Sequence, residues 1–191
     1  MAFSFNINDF TSVIAKRGGL QASNRYSVYI TSRGGDYKGV ESDIPFLCED
    51  VSLPGRSIAT ADFKTYGPVI KVGRESIYAD LNLTFILTED MAIKTYFDKW
   101  MNTVQNDTSY DPGYYRDYVG QIYIAALSQN TSARLPNVNY HLLNYAAMVE
   151  DAFPTAIADV PFSHSSNNTY AKLQVTFTYR RCVNRELFES S

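Results

Sequence analysis

The side chains that most often carry chemistry are few in this sequence, and they are widely separated. It contains two histidines, His141 and His164, and two cysteines, Cys48 and Cys182. Neither histidine has a second one at metal-ligand spacing, and neither lies in an H-E-x-x-H motif. A nucleophilic pair such as Cys48 with His141 would depend on the fold to join them, because nothing near either cysteine marks it as reactive. We therefore predict two reduced core thiols and an exposed loop position for His164.

Acidic and glycine motifs also give no catalytic or cofactor site. The doublets Glu49-Asp50 and Glu150-Asp151 lie in predicted strands, where adjacent side chains point to opposite faces and do not form a matched catalytic pair. The sequence contains no G-x-G dinucleotide fingerprint and no G-x4-G-K-[ST] phosphate loop. We therefore predict a protein that is not an enzyme and that uses no cofactor or metal.

Composition and charge describe a foldable chain with no general affinity for polyanions. The 191 residues include 17 basic and 20 acidic side chains, for a net charge of -3, and 45% of them are hydrophobic. Nucleic-acid binders concentrate positive charge, which this chain lacks overall. No apolar run is long enough to span a membrane, and the N-terminus lacks the basic and apolar regions of a signal peptide. We expect one domain over residues 1–191, made in the cytoplasm, with 1–24 and 182–191 as candidate arms.

The stretch over residues 80–103 organises the predicted elements, because its periodicity changes from that of a strand to that of a helix. Alternate apolar residues between Leu81 and Leu87 predict a half-buried strand. Thr88 and the acids after it favour a helix start at that point, and the helix carries an apolar stripe that includes Trp100. We expect this helix to close over a sheet. The predicted core residues are Phe85, Leu87, Phe97, Trp100, Val175 and Phe177.

Other extended segments alternate in the same way. A brief helix is predicted over residues 11–16, capped by Asn8 or Asp9, and the strand over 140–153 is predicted to end at Pro154. Together these patterns predict a mainly β (α+β) fold: an antiparallel sandwich or partly closed barrel of two sheets, with one flanking helix and a long hairpin arm. The predicted strands besides that after residue 80 cover 25–31, 46–53, 56–66, 69–78, 119–127, 140–153 and 170–181.

The hairpin is predicted over residues 56–78, with its turn at Tyr66-Gly67-Pro68. Charged residues between Asp62 and Glu75 make its arms polar, and a hairpin with so little apolar surface is not stable alone. The residues leave two interpretations open: an arm that packs on another subunit, or a solvated edge hairpin.

Five motifs in order carry a resemblance to a known family. They are Leu53-Pro54-Gly55-Arg56-Ser57 after a cysteine-bearing strand, LTFILTEDM running into FDKWMN, Tyr115-x-x-Tyr118-Val119-Gly120, Ala152-Phe153-Pro154-Thr155-Ala156-Ile157, and LQVTFTYRR. Their order and spacing, over roughly residues 25–181, resemble the tail tube proteins of T4-like contractile-tailed bacteriophages, the myovirus major tail tube family.

The resemblance implies two roughly orthogonal antiparallel sheets in each subunit and a structural role in the virion tail. Six copies would form a ring by pairing sheets between subunits, and stacked rings would form the inner tube through which the genome is delivered. The implied partners are other copies of the chain, the tail sheath protein, baseplate tube proteins, the tail terminator and the tape measure protein. Double-stranded DNA would pass through the lumen without specific binding, and assembly would take place in the host cytoplasm.

The resemblance also favours the arm interpretation of the hairpin, which would contact neighbouring subunits or the next ring. We further expect a bore with few basic side chains, lined by the outward face of one long strand pair and not dominated by Lys172 and Arg180. The candidate subunit-interface residues are Arg56, Asp62, Lys64, Tyr66, Lys71, Arg74 and Glu75.

Alternative functions follow from the same observations. A baseplate-proximal tube or initiator subunit would share the fold and differ in its partners, and tube proteins of contractile secretion or bacteriocin-like machines are further relatives. From a different class, a small-ligand-binding β-barrel would need an apolar cavity with a few convergent polar groups.

Overall fold

A computed structural model describes residues 6–32, 39–64, 66–128, 143–165 and 169–184. His141 and the ends of both candidate arms, residues 1–5 and 185–191, lie outside the described residues. The helices are α1 (Ile7–Lys16), α2 (Ile44–Leu47), α3 (Ala92–Val104) and α4 (Tyr115–Tyr118). The strands are β1 (Tyr26–Ser32), β2 (Cys48–Val51), β3 (Arg56–Phe63), β4 (Ile70–Tyr78), β5 (Leu81–Ile86), β6 (Gly120–Leu127), β7 (Leu143–Ile157), β8 (Lys172–Thr178) and β9 (Arg181–Asn184).

Two antiparallel layers share the long strand β7. We call the layer with strand order β1-β6-β7-β9 sheet A, and the layer with order β7-β8-β5-β2 sheet B. Strands β3 and β4 pair only with each other and form a separate hairpin. Two antiparallel sheets with a flanking helix and a long hairpin confirm the predicted fold class. The described strands do not close into a barrel.

Strand β7 passes from one sheet to the other at Asp151. Its first part pairs with β6 and β9, and its second part pairs with β8. Asp151 has φ of 53°, and the register shifts again between Pro154 and Ala156. The prediction that the strand ends at Pro154 is therefore wrong. A bulge bends a strand and leaves a residue unpaired, so the missing N–H of Pro154 is tolerated there.

Helix α3 covers the core between the two sheets. The Trp100 side chain is fully buried, and its Nε1 donates to the Tyr118 carbonyl oxygen at 2.7 Å. Gly120 has to be glycine, because a Cβ there would lie 3.0 Å from the Trp100 ring and 2.4 Å from the Thr31 carbonyl oxygen. Tyr96, which is not among the predicted core residues, is also buried. The predicted core residues Phe85, Leu87, Phe97, Trp100, Val175 and Phe177 all lie in this cluster.

Two predicted helix starts were wrong. Helix α1 begins at Ile7, four residues early, because the Asn6 side chain accepts a hydrogen bond from the Asn8 N–H and caps it. Helix α3 begins at Ala92, and its N-cap residue, Met91, has φ of 52°. The acids near the predicted start still contribute, since Asp90 accepts from the Ala92 N–H at 3.3 Å.

Two predicted strands are each divided. The segment over 46–53 begins as helix α2, where proline occupies a first-turn position that needs no N–H donor, and continues as β2. The segment over 170–181 ends as β8 at Thr178, and the chain then turns into β9 in the other sheet. The first residues of the candidate C-terminal arm, Cys182–Asn184, therefore pair with β7.

Candidate functional site

The hairpin β3–β4 is exposed to solvent along almost its whole length. Its register runs from the Arg56–Tyr78 pair at the base to the Phe63–Ile70 pair near the tip. Its strand residues are exposed except for two that are half-buried, one of them Tyr78 at the base. Gly67 turns the chain with φ of 93°, a left-handed conformation that glycine adopts without strain. The predicted hairpin and its turn are confirmed.

The two faces of this hairpin differ in chemistry. Directly opposed residues share a face and successive residues alternate, so the register assigns each side chain to one face. One face is polar and contains Asp62 opposite Lys71. The other, which we call the apolar arm face, consists of Ala59, Ala61, Phe63, Ile70, Val72 and Ile77, with Ser57 and Glu75 among them.

The apolar arm face is open to solvent. Phe63 is 60% exposed, Ile70 is 62% exposed and Val72 is 51% exposed. A contiguous apolar surface of this kind, bordered by charges, is typical of protein–protein contact sites. The hairpin is therefore amphipathic, which corrects the description of both its arms as polar.

The seven predicted interface residues all lie on this hairpin and are exposed. Arg56 donates from Nε to the Ser76 hydroxyl at 3.1 Å, which ties the two strands together near the base. Asp62 and Lys71 are register partners on the polar face. Lys64 lies beside the turn and Tyr66 lies in it. Arg74 is the extra residue of a bulge, and Glu75 lies opposite Ala59.

The interface residues predicted from the sequence are mostly the charges of the hairpin, and they do not include the apolar arm face. The signal was present, since Ala59, Ala61 and Phe63 alternate on one strand while Ile70 and Val72 alternate on the other. Such a pattern indicates a strand with one apolar side. It does not show whether the chain itself covers that side.

The outward face of sheet A is a second surface of functional interest. It carries residues such as Tyr29, Gln121, Tyr123 and Met148, whose strand neighbours point into the core. Among the described strand residues of this face, Glu150 and Arg181 carry charge, and they are paired with each other.

Glu150 and Arg181 are opposed in the register of β7 and β9, and their side chains form a two-point ion pair. Arg181 Nε lies 2.5 Å from Glu150 Oε2, and Arg181 Nη2 lies 3.1 Å from Glu150 Oε1. Arg180 adds contacts to Glu150 at 3.1 Å and to Asp151 at 2.6 Å. The hydrogen bond from Arg181 is the main reason that the pKa of Glu150 lies below its ordinary value. The face therefore carries charges that cancel at contact distance.

Nothing in the described structure adds a reactive centre. Burial raises the pKa of the Cys48 thiol to about 12, and burial also raises the pKa of Cys182, so neither is an activated nucleophile. Both cysteines are free. Within the described ranges, no three His, Cys, Asp or Glu side chains are placed to hold a metal ion. No helix in the same ranges combines the length and apolarity needed to cross a bilayer.

Comparison with known proteins identifies relatives of this fold. The sequence model of a family described as "Phage tail tube protein" matches residues 21–184. The sheath-tube complex of an extracellular contractile injection system contains a chain similar to this one, with a TM-score of 0.61 and 20% identity. That match covers 92% of this chain and 97% of the other.

Two further structures share the fold. A chain in the tube terminating cap of the anti-feeding prophage gives a TM-score of 0.61 at 16% identity, over 87% of this chain and 91% of that one. A chain in the sheath/tube terminator of an extracellular contractile injection system gives a TM-score of 0.58 at 19% identity. That match covers 86% of this chain and 95% of the other. A comparison with curated proteins finds no match.

Proposed function

The chain belongs to the phage tail tube protein family, and we propose that it is the repeating subunit of the inner tube of a contractile tail. Copies form hexameric rings, and the rings stack into a conduit through which the genome is delivered. The whole chain, residues 1–191, acts as one tube domain, and residues beyond its sheets serve as arms. Its role is structural and requires no cofactor.

The exposed hairpin is the observation that carries this proposal. A two-stranded hairpin of this length is marginal in water, and this one exposes apolar side chains on its own. Packing against a second copy would bury the apolar arm face and supply the stability that the isolated hairpin lacks. The charged residues on the opposite face would then remain at the rim of the contact, where they set orientation more than affinity.

The outward face of sheet A supports the second part of the proposal, a bore that does not hold its cargo. Each uncompensated basic side chain facing DNA would add salt-dependent affinity and slow its passage. On this face the longest strand pair, β6–β7, presents neutral side chains apart from Glu150, whose charge is balanced by Arg181. Lys172 lies on the other sheet and is paired with Glu49 at 2.7 Å. We therefore propose that sheet A lines the lumen.

The same proposal assigns partners and location. The subunit contacts other copies of itself, the sheath, baseplate tube proteins, the terminator and the tape measure protein, and it resides in the virion tail after assembly in the host cytoplasm. A baseplate-proximal or initiator subunit differs only in partners, and the ability of the pure chain to form extended tubes separates the two. A ligand-binding barrel receives no support, because side chains such as Phe85, Phe97 and Phe177 fill the space between the sheets.

Negative-stain electron microscopy of the purified chain over a concentration series tests the proposal. We expect rings or hollow tubes from the natural chain. The double variant Ile70→Thr/Val72→Thr keeps β-branched side chains but makes the apolar arm face polar, so it should remain monomeric.

The matched control is Tyr110→Asn, which removes a large exposed side chain outside the hairpin and suits the left-handed backbone at that position. This control should assemble normally. Failure of the natural chain to assemble at any concentration, or normal assembly of the double variant, would contradict the proposal.

A further inference from the structure

We propose that an open groove beside helix α3 receives the β3–β4 hairpin of a second copy. This inference rests on the proposed tube function and deepens it, because it names the surface on which the arm docks. The contact joins two different surfaces of the same chain, so it repeats from copy to copy and generates a ring or a filament.

The groove lies where the chain leaves β7. Its volume is about 430 Å³, and it is lined on one side by α3 and on the other by the segment after Ile157. Two of its apolar side chains are methionines, which adapt to irregular partners better than branched residues do. Phe162 at its edge is 77% exposed. The lining residues are Met91, Lys94, Asp98, Met101, Ile157, Ala158, Asp159, Val160 and Phe162.

The groove and the hairpin lie towards opposite ends of sheet B. The hairpin connects to β5 at Leu81, which pairs with Phe177. The other end of the same strand pair is Ile86 with Lys172, and the groove segment extends in that direction from Ile157. The six residues of β5 between these ends span about 17 Å. A copy displaced along the strands would therefore have the base of its hairpin on the side of the next copy's groove.

The two surfaces are complementary in charge as well as in apolar character. Residues 56–78 carry four basic and two acidic side chains, for a net charge of +2. The groove carries one basic and two acidic side chains, for a net charge of -1. Lys94 pairs with Asp98 at 2.6 Å, which leaves the exposed carboxylate of Asp159 to face an incoming basic side chain. The hairpin tip offers Phe63, Tyr66 and Ile70 to the apolar part of the groove.

Disulfide trapping in the assembled protein tests this contact. The variant Tyr66→Cys/Phe162→Cys is made in a Cys182→Ala background, with the buried Cys48 left in place. After assembly and mild oxidation, a non-reducing gel should show a ladder of linked multimers, because each chain contributes one cysteine to each neighbour.

The control variant Tyr66→Cys/Tyr29→Cys moves the second cysteine to the outward face of sheet A, at a tyrosine that is 53% exposed. It should give no ladder. Independently, Asp159→Lys should raise the concentration needed for assembly by about tenfold or more, since like charges would then face each other.

The outcomes separate the two proposals. Tubes or rings without a ladder from the first variant, together with normal assembly of Asp159→Lys, would overturn the docking inference and leave the tube function intact. A natural chain that never assembles would overturn the tube function and the inference with it.

Discussion

The core and the hairpin are built from the same local pattern and reach opposite outcomes. In the β5–β8 pair, Leu83 opposes Val175 and both are fully buried beneath α3. In the β3–β4 pair, Ala61 opposes Val72, and Val72 is half exposed. Both pairs alternate apolar residues along antiparallel strands, and only the first is covered by another part of the described chain.

Strand periodicity therefore specifies which side of a strand pair is apolar, but not what covers that side. In the core, one chain supplies both the strand pair and the helix that packs on it. In the hairpin, the apolar side is exposed, and only another molecule can bury it. This is the property expected of an assembly arm. Substitutions in the two regions should therefore affect different measurements.

The largest expected effect is at Trp100. Replacement of Trp100 by Ala should lower the free energy of unfolding by about 3–5 kcal/mol, because it leaves a large cavity between α3 and both sheets. It also leaves the Tyr118 carbonyl oxygen without its donor. Chemical denaturation of the monomer measures the change.

Trp100→Phe is the control, since it keeps most of the aromatic packing against Phe177 and Tyr96. It should lose clearly less stability than the alanine variant. A loss below about 1 kcal/mol for Trp100→Ala would mean that α3 does not close the core.

A smaller effect is expected at the ion pair that joins β7 to β9. The pKa of Glu150 lies below its ordinary value of 4.5, so the folded state favours the ionised form. The resulting stabilisation is fully present above that ordinary pKa and is lost as pH falls below it. Glu150→Gln should cost about 1–2 kcal/mol near pH 7, a value reduced for the partial exposure of Arg181.

The unfolding midpoint of the natural chain and of Glu150→Gln should therefore converge as pH falls from 6 towards 3. Glu75→Gln on the hairpin is the control and should change stability little at any pH, as expected for an exposed side chain. A constant gap between the natural chain and Glu150→Gln across this pH series would show that the stabilisation does not depend on the charge of Glu150.

Most of the fold could be predicted because local pattern and burial agree there. The alternation from Leu81 and the stripe on α3 both point inward, and Leu173, Val175 and Phe177 match them on β8. The predicted end of a strand at Pro154 was wrong because the rule for proline is local, whereas strand β7 passes to the other sheet at Asp151 and continues past Pro154 with a shift of register. The helix starts failed by a few residues because several polar side chains compete to cap each helix.

The candidate site was predicted only in part. Gly67 and the flanking strands located the hairpin, since its turn requires a residue that accepts positive φ. The distinction between covered and uncovered apolar residues depends on tertiary packing, which is not encoded in the spacing of Phe63, Ile70 and Val72. The pairing of Glu150 with Arg181 also joins distant segments, so charge patterning along the chain could not reveal it.

The smallest effect on monomer stability is expected on the apolar arm face. The same substitution, valine to threonine, can be made there and in the core, and it should affect the two regions differently. Val72→Thr should change the free energy of unfolding by no more than about 0.5 kcal/mol, because its side chain is already half in water. Val175→Thr should cost about 1–3 kcal/mol, because it buries a hydroxyl without assured hydrogen-bond partners. Denaturation of dilute monomer gives both values, and equal losses at the two positions would mean that the hairpin belongs to the folded core. We expect stability to fall only in Val175→Thr and assembly to fail only in Ile70→Thr/Val72→Thr. That combination would show that the apolar residues of the hairpin serve assembly and not the folding of the monomer.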